Sequence, residues 1–143
     1  MVIEQLSVFV ENKLGHLSDI AEILGGAGID MRALSIADTA EFGVLRLIVS
    51  DTRRARELLA EAGCVVSVTR VLAVSLEDRP GSLAKILRAL SDAGVSVEYV
   101  YAFITQKQGN AYVVLRVEDN ARASEILEKS GACAGGEGDI FPL

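Results

Sequence analysis

The chain has 143 residues, half of them apolar and 24% charged, with only 13 glycines and 2 prolines. This composition excludes a disordered tail, a collagen-like rod and a low-complexity linker, and fits one compact domain or two small ones. Fourteen basic against 20 acidic side chains leave a net charge of −6, which repels polyphosphate and argues against nucleic acid and anionic membrane surfaces as partners. The two cysteines, Cys64 and Cys133, lack CxxC spacing, so neither a disulfide framework nor a metal site is expected, and no cofactor motif appears. No apolar run reaches the roughly 18–20 residues of a membrane helix. Met1–Gln5 lacks the basic start of a signal peptide, so a cytoplasmic location is expected.

Leu6, Val8 and Val10 alternate with Ser7 and Phe9, the period of a strand. A turn follows at Asn12-Lys13-Leu14-Gly15-His16. Leu17, Ile20, Ala21 and Leu24 then recur at helical spacing, and Gly25, Gly26 and Gly28 are expected to end that helix. Residues 29–38 and 43–50 read as a hairpin. Asp51-Thr52 is placed to cap a second helix with Ala55, Leu58, Leu59 and Ala62 inward, and Gly63 stops it. Cys64 opens a last strand, Val65–Val68, and is expected to be buried.

The same plan then repeats. Laying Gly15 on Gly81, an offset of about 66 residues, puts Val8 on Val74, Glu11 on Glu77, Leu17 on Leu83, Ile20 on Ile86, Leu24 on Leu90 and Gly28 on Gly94. Beyond a polar insertion at Gln106–Asn110, suited to a hairpin tip, the offset becomes about 68 and pairs Leu47 with Leu115, Asp51 with Asp119 and Gly63 with Gly131. Val71–Leu76 is read as a strand and Asp78-Arg79-Pro80-Gly81-Ser82 as a turn. Leu83, Ile86, Leu87 and Leu90 form a helix stripe, residues 95–105 and 111–117 a hairpin, and Ile126 and Leu127 a final helix. The last strand is weak, because Ala134-Gly135-Gly136-Glu137-Gly138 is poor strand sequence.

Each half thus reads βαββαβ. The expected fold is α+β: two ferredoxin-like sandwiches in tandem, spanning 1–69 and 70–143, each an antiparallel sheet with both helices on one face. With no flexible linker between Val68 and Val71, the halves are expected to be rigidly coupled.

The two strand-to-helix turns are where chemistry is expected. The first amides of a helix lack internal acceptors and carry partial positive charge, which suits a carboxylate. Gly15 and Gly81 have no Cβ to hold a ligand away, and Pro80 stiffens its turn. Asn12 and Asp78 offer acceptors for an ammonium group. His16 is either a neutral donor to a ligand carboxylate or a plain solvent-facing residue, and Ser82 stands in the equivalent place. A free α-amino acid fits such a set. The same residues are also ordinary turn formers, so composition alone leaves the structural reading open.

These residues carry a resemblance. Glu77-Asp78-Arg79-Pro80-Gly81-Ser82-Leu83-Ala84 with Ile86, Leu90 and Gly94-Val95-Ser96-Val97 resembles the opening motif of the ACT domain. Val10-Glu11-Asn12-Lys13-Leu14-Gly15-His16-Leu17 with Ile20 and Gly28-Ile29-Asp30 resembles a second copy, with Leu14 where the family usually has Pro. The resemblance covers nearly the whole chain. It implies a regulatory, non-catalytic protein that binds a small amino acid ligand. The ligand would be held between the strand-to-helix turn of one module and an edge strand of its neighbour. It implicates Asn12, Leu14, Gly15, His16 and Leu17, and Asp78, Pro80, Gly81, Ser82 and Leu83. Asp30-Met31 and Ser96-Val97, at the start of each second strand, are the expected partner surface.

A homodimer is expected, with a regulated enzyme as a further partner. The first motif is also similar to the regulatory subunit of acetolactate synthase, which is the alternative reading. An acylphosphatase-like enzyme is the alternative from another class. Arg79 and Asn12 are present for it, but in different halves and without the anion loop. Tyr99, Tyr101 and Phe103 alternate on one strand face and are read as packing rather than as a base-stacking platform.

Overall fold

A computed structural model of the chain describes residues 1–38, 41–104 and 109–134. In order, the elements are β1 (Val2–Glu11), α1 (His16–Gly26), β2 (Met31–Asp38), β3 (Phe42–Val49), α2 (Thr52–Glu61) and β4 (Val65–Glu77). They continue with α3 (Ser82–Asp92), β5 (Val97–Ala102), β6 (Asn110–Val117), α4 (Asn120–Lys129) and β7 (Cys133–Ala134). The chain divides into two compact units, Glu4–Thr69 and Arg70–Leu143, with Met1–Ile3 belonging to the second. There the Met1 carbonyl accepts from the Ala73 amide at 2.7 Å.

In the first unit β3 lies between β1 and β2, antiparallel to both, with Leu6 opposite Leu47 and Val8 opposite Leu45. The inward half of this alternation joins Ile20 and Leu24 of α1 and Ala55 and Leu59 of α2 in one core, so both helices cover the same sheet face. The second unit repeats this arrangement. Strand β6 lies between β4 and β5, and Leu72, Val74 and Leu115 pack with Ile86, Leu90, Ala123 and Leu127. An irregularity at Met31/Ala33 recurs at the equivalent Val97/Tyr99. The fold is the α+β, doubly repeated ferredoxin-like architecture expected from the element order.

Several local expectations change. Gly25 and Gly26 lie inside α1 rather than ending it. The helix closes on Gly28, whose amide bonds to the Gly25 carbonyl while Ile29 reaches Leu24. The same two bonds close α2 at Gly63 and α4 at Gly131. The two strands read as Val65–Val68 and Val71–Leu76 are one 13-residue strand, β4. Between Val65 and Glu77 there is no Gly, Pro, Asn or Asp to turn the chain.

Ile29, Asp30, Val95 and Ser96 precede their strands instead of opening them. Ala62 is the exposed cap of α2, not an inward residue. Cys64 sits between α2 and β4 and is only partly buried, although that burial still pushes its thiol pKa upward. Asp51 and Asp119 do cap α2 and α4, accepting from Arg54 and Arg122 amides at 3.0 and 3.1 Å. The weak final strand is two residues long, paired to Val74 and Ser75 of β4. Of the expected hairpin tip, 106–108 lies outside the described residues, as does 135–143 at the C-terminus. Tyr99 and Tyr101 stack with ring centroids 6.3 Å apart, and Phe103 is buried.

Candidate functional site

Both strand-to-helix turns are built alike. The turn leaves β1 with the Lys13 amide bonded to the Glu11 carbonyl at 2.8 Å, and leaves β4 with Arg79 bonded to Glu77 at 2.9 Å. Gly15 and Gly81 are the helix N-caps, at φ +82° and +92°. This left-handed conformation is what requires glycine there, a stronger reason than the close approach expected from the sequence. A Cβ at either position would meet nothing within 4 Å, so the space in front of each turn is open.

His16 and Ser82 amides bond back to Lys13 and Arg79 carbonyls, both at 3.3 Å, and Asp19 and Lys85 take up the Gly15 and Gly81 carbonyls. Among the described residues, the amides of Leu17 and Ser18, and of Leu83 and Ala84, have no protein acceptor. Neither helix has a side-chain cap to compete for them. Each turn therefore keeps a pair of free donors at the positive end of an 11-residue helix.

Each turn borders a cleft within its own unit. The first, about 340 Å³, is lined by Phe9, Val10, Glu11, His16, Phe42, Ala62, Gly63, Cys64 and Val65. The second, about 100 Å³, is lined by Leu76, Glu77, Arg79, Ser82, Lys85, Ile86, Ser130, Gly131 and Ala132. Six of the lining positions correspond through the repeat: Val10 and Leu76, Glu11 and Glu77, His16 and Ser82, Ala62 and Ser130, Gly63 and Gly131, Cys64 and Ala132. The contribution of the α2–β4 and α4–β7 turns was missed in the sequence, where Gly63 and Gly131 register only as helix stops. Their recurrence in the repeat was the available signal.

The electrostatics of the two mouths match. Lys13 pairs with Glu11, and Arg79 with Glu77 at 2.7 Å. The Lys13 hydrogen bond, and then its charge, hold the Glu11 carboxyl below its ordinary value of 4.5, slight desolvation opposing and His16 adding to the lowering. His16 Nδ1 lies 3.2 Å from the Glu11 carbonyl. A carbonyl oxygen only accepts, so Nδ1 carries the hydrogen. A neutral ring then presents Nε2 as an acceptor, suited to an ammonium group. Donation to a carboxylate from Nε2 requires the imidazolium.

The remaining predicted residues fall as follows. Asn12 and Asp78 are exposed beside their turns, their amides donating to Glu41 and Gly109 carbonyls at 3.1 Å. Leu14 is fully exposed, and Pro80 is exposed at the corresponding point. Leu17 and Leu83 are partly exposed on their first helical turns.

Asp30, Met31, Ser96 and Val97 are not brought to the turns of their own units. Glu11 is opposite Phe42 while Met31 is opposite Val49, about seven residues further along β3, or roughly 23 Å. Asp30 there accepts from Arg32 at 3.0 Å, and Met31 packs against the core. Val97 is likewise core-packed, and Ser96 lines a separate cleft of about 440 Å³ with Glu98, Glu118, Asp119 and Arg122. Although larger, that cleft has three carboxylates to one guanidinium and is poorly suited to an acid.

Among the described residues there is no cluster of His, Cys, Asp and Glu that could hold a metal, and no helix long and apolar enough to cross a membrane.

The comparisons agree with this architecture. A comparison with curated proteins returned no match. Among solved structures, protein BT0572 from Bacteroides thetaiotaomicron is 39% identical, with all of this chain and 98% of that one aligned at a TM-score of 0.88. The ligand-free regulatory subunit of aspartate kinase from Thermus thermophilus is 14% identical over 91% of this chain and 95% of that one, TM-score 0.66. Aspartokinase III of E. coli, solved with aspartate and ADP, is 20% identical over 89% of this chain and 31% of that one, TM-score 0.55. At such identities the latter two speak for the fold. A family model described as an ACT domain pair matches residues 1–132, in keeping with the repeat, both βαββαβ units and the two matching turns, and the chain belongs to that family.

Proposed function

We propose that the protein is a non-catalytic regulatory module that binds a free amino acid at a strand-to-helix turn and signals to a protein partner. The observation that carries this reading is the pair of unpartnered amides at the start of α1, beside an open glycine turn and a cleft. The amides and helix terminus suit the α-carboxylate, and the His16 Nε2 and the Glu11 carboxylate suit the α-ammonium. A non-catalytic role is supported by the chemistry at hand. The one histidine spends Nδ1 on a carbonyl, and Arg79, the cation an acylphosphatase-like reaction would need, is held by Glu77.

A ligand acts on a partner only through its differential affinity for two states of the protein. The expected states are free and partner-bound or self-associated forms, with a homodimer as the resting assembly. The partner is expected to be an enzyme of amino-acid biosynthesis, the class to which the aspartate kinase subunits of the same fold belong, with acetolactate synthase as the alternative.

Thermal-shift screening of the twenty amino acids, followed by isothermal titration, tests the binding. A raised melting temperature with one or a few is the expected result. No shift and no heat with any of them refutes it. Capture of the partner from cell extract with and without the selected amino acid tests the signalling.

A further inference from the structure

We propose that the two clefts have diverged, and that the first alone selects a ligand, taking a free amino acid with a bulky apolar side chain, branched or aromatic. This rests on the amino-acid reading above and narrows it.

The repeat makes the comparison direct, because register identifies equivalent positions. Phe9 stands opposite Val44 in the first unit where Ser75 stands opposite Tyr112 in the second. Phe42 stands opposite Glu11 where Asn110 stands opposite Glu77. Two phenyl groups in the first unit therefore correspond to a hydroxyl and an amide in the second. Cys64 in the first cleft corresponds to Ala132 in the second. Val65 adds a further apolar wall to the first, whereas Arg79 and Lys85 bring cations to the second.

Size separates the clefts as well. At about 340 Å³ the first falls within the range of small-molecule sites, roughly 300–1,000 Å³. At about 100 Å³ the second falls well below that range.

The apolar lining of the first cleft is open to solvent. Phe9 is 55% exposed, Phe42 59% and Val65 66%. Phe9 and Phe42 are diagonal neighbours on the same sheet face, placed to receive one side chain between them. They lie on the sheet face opposite α1 and α2 and share the cleft with Glu11 and His16. A ligand whose ammonium group meets the His16 Nε2 and the Glu11 carboxylate in that cleft has its side chain left to meet the phenyl groups. Covering them with an apolar side chain is favourable, and covering them with a charged one is not.

The test is isothermal titration of the full chain with leucine, isoleucine, valine, phenylalanine, glycine, alanine, serine, aspartate and lysine. The native protein is compared with Phe42→Asn, Phe9→Ser and the conservative Phe42→Leu. Both phenylalanines are exposed, and circular dichroism checks that each variant is folded.

The expected result is one site per chain for a branched or aromatic amino acid. Affinity should fall about tenfold or more in Phe42→Asn and Phe9→Ser and be largely kept in Phe42→Leu. Three outcomes overturn the inference while leaving amino-acid binding intact: preference for a small or charged ligand, two equal sites per chain, or unchanged affinity and selectivity in Phe42→Asn. Failure to bind any amino acid overturns the amino-acid reading itself, and this inference with it.

Discussion

Two glycines of the first unit should respond to the same substitution with opposite signs. Gly15 sits at φ +82°, and Gly25 lies in the last turn of α1 with no positive φ. An alanine Cβ meets nothing within 4 Å at either place, so packing drops out and only the backbone decides. At Gly15 the left-handed conformation costs an L-residue roughly 1–2 kcal/mol. The loss of unfolded-chain entropy offsets about 0.4–1 kcal/mol of that. Gly15→Ala should therefore destabilise by up to about 1.6 kcal/mol.

At Gly25 the entropy gain stands alone, and Ala is the better helix former, so Gly25→Ala should stabilise by about 0.5–1 kcal/mol. In a domain of 60–100 residues each kcal/mol moves the melting temperature by roughly 4–8 °C. Thermal and urea unfolding followed by far-UV circular dichroism reads both changes. A Gly15→Ala protein more stable than the native one would refute the left-handed turn. A destabilised Gly25→Ala would refute the helix running through Gly25. Since the turn conformation also sets where the free amides lie, Gly15→Ala should weaken the binding proposed above, while Gly25→Ala leaves it unchanged.

Other outcomes follow from the packing and charges. Leu59 and Leu127 are fully buried in the two cores, so Leu59→Ala and Leu127→Ala should each cost about 2–5 kcal/mol in urea unfolding. A loss under 1 kcal/mol would contradict the packing. Asp51→Ala and Asp119→Ala remove the caps of α2 and α4 and should each cost about 0.5–2 kcal/mol, with Asp→Asn largely sparing the cap.

Glu11 is held below 4.5 by Lys13. A carboxyl lowered in the folded state contributes stability above its unfolded value and loses it as pH falls through the lowered one. The Glu11–Lys13 contribution should therefore be present at neutral pH, begin to fall near pH 4.5 and be lost as pH drops through the lowered value. Lys13→Met should move the Glu11 titration, followed by NMR of its carboxyl carbon, upward toward 4.5. An unmoved titration would show that Lys13 is not the cause.

The legible part of the protein is the part set by neighbours in sequence. The apolar stripe Ile20–Leu24 and its copy Ile86–Leu90 need only the helical period to be read, and the Asp51 and Asp119 caps need only the adjacent amides. The Gly15 and Gly81 turns show in the residue types the backbone demands. The end of α1 was less legible, because Gly25 and Gly26 tolerate a helix that tertiary burial of Leu24 holds in place. The run from Val65 to Glu77 reads as two strands only because a repeat boundary falls within it; no residue there breaks a strand.

The sequence by itself determined the duplicated βαββαβ order and the two glycine turns, because periodicity, capping and φ > 0 are interactions of a residue with its near neighbours. Only the tertiary structure decided that His16 shares a cleft with Cys64, and that Phe9 and Phe42 share a face. Those meetings depend on strand register and on helix packing across tens of residues, and shifting one strand by a single residue would turn every one of its side chains to the other side of the sheet.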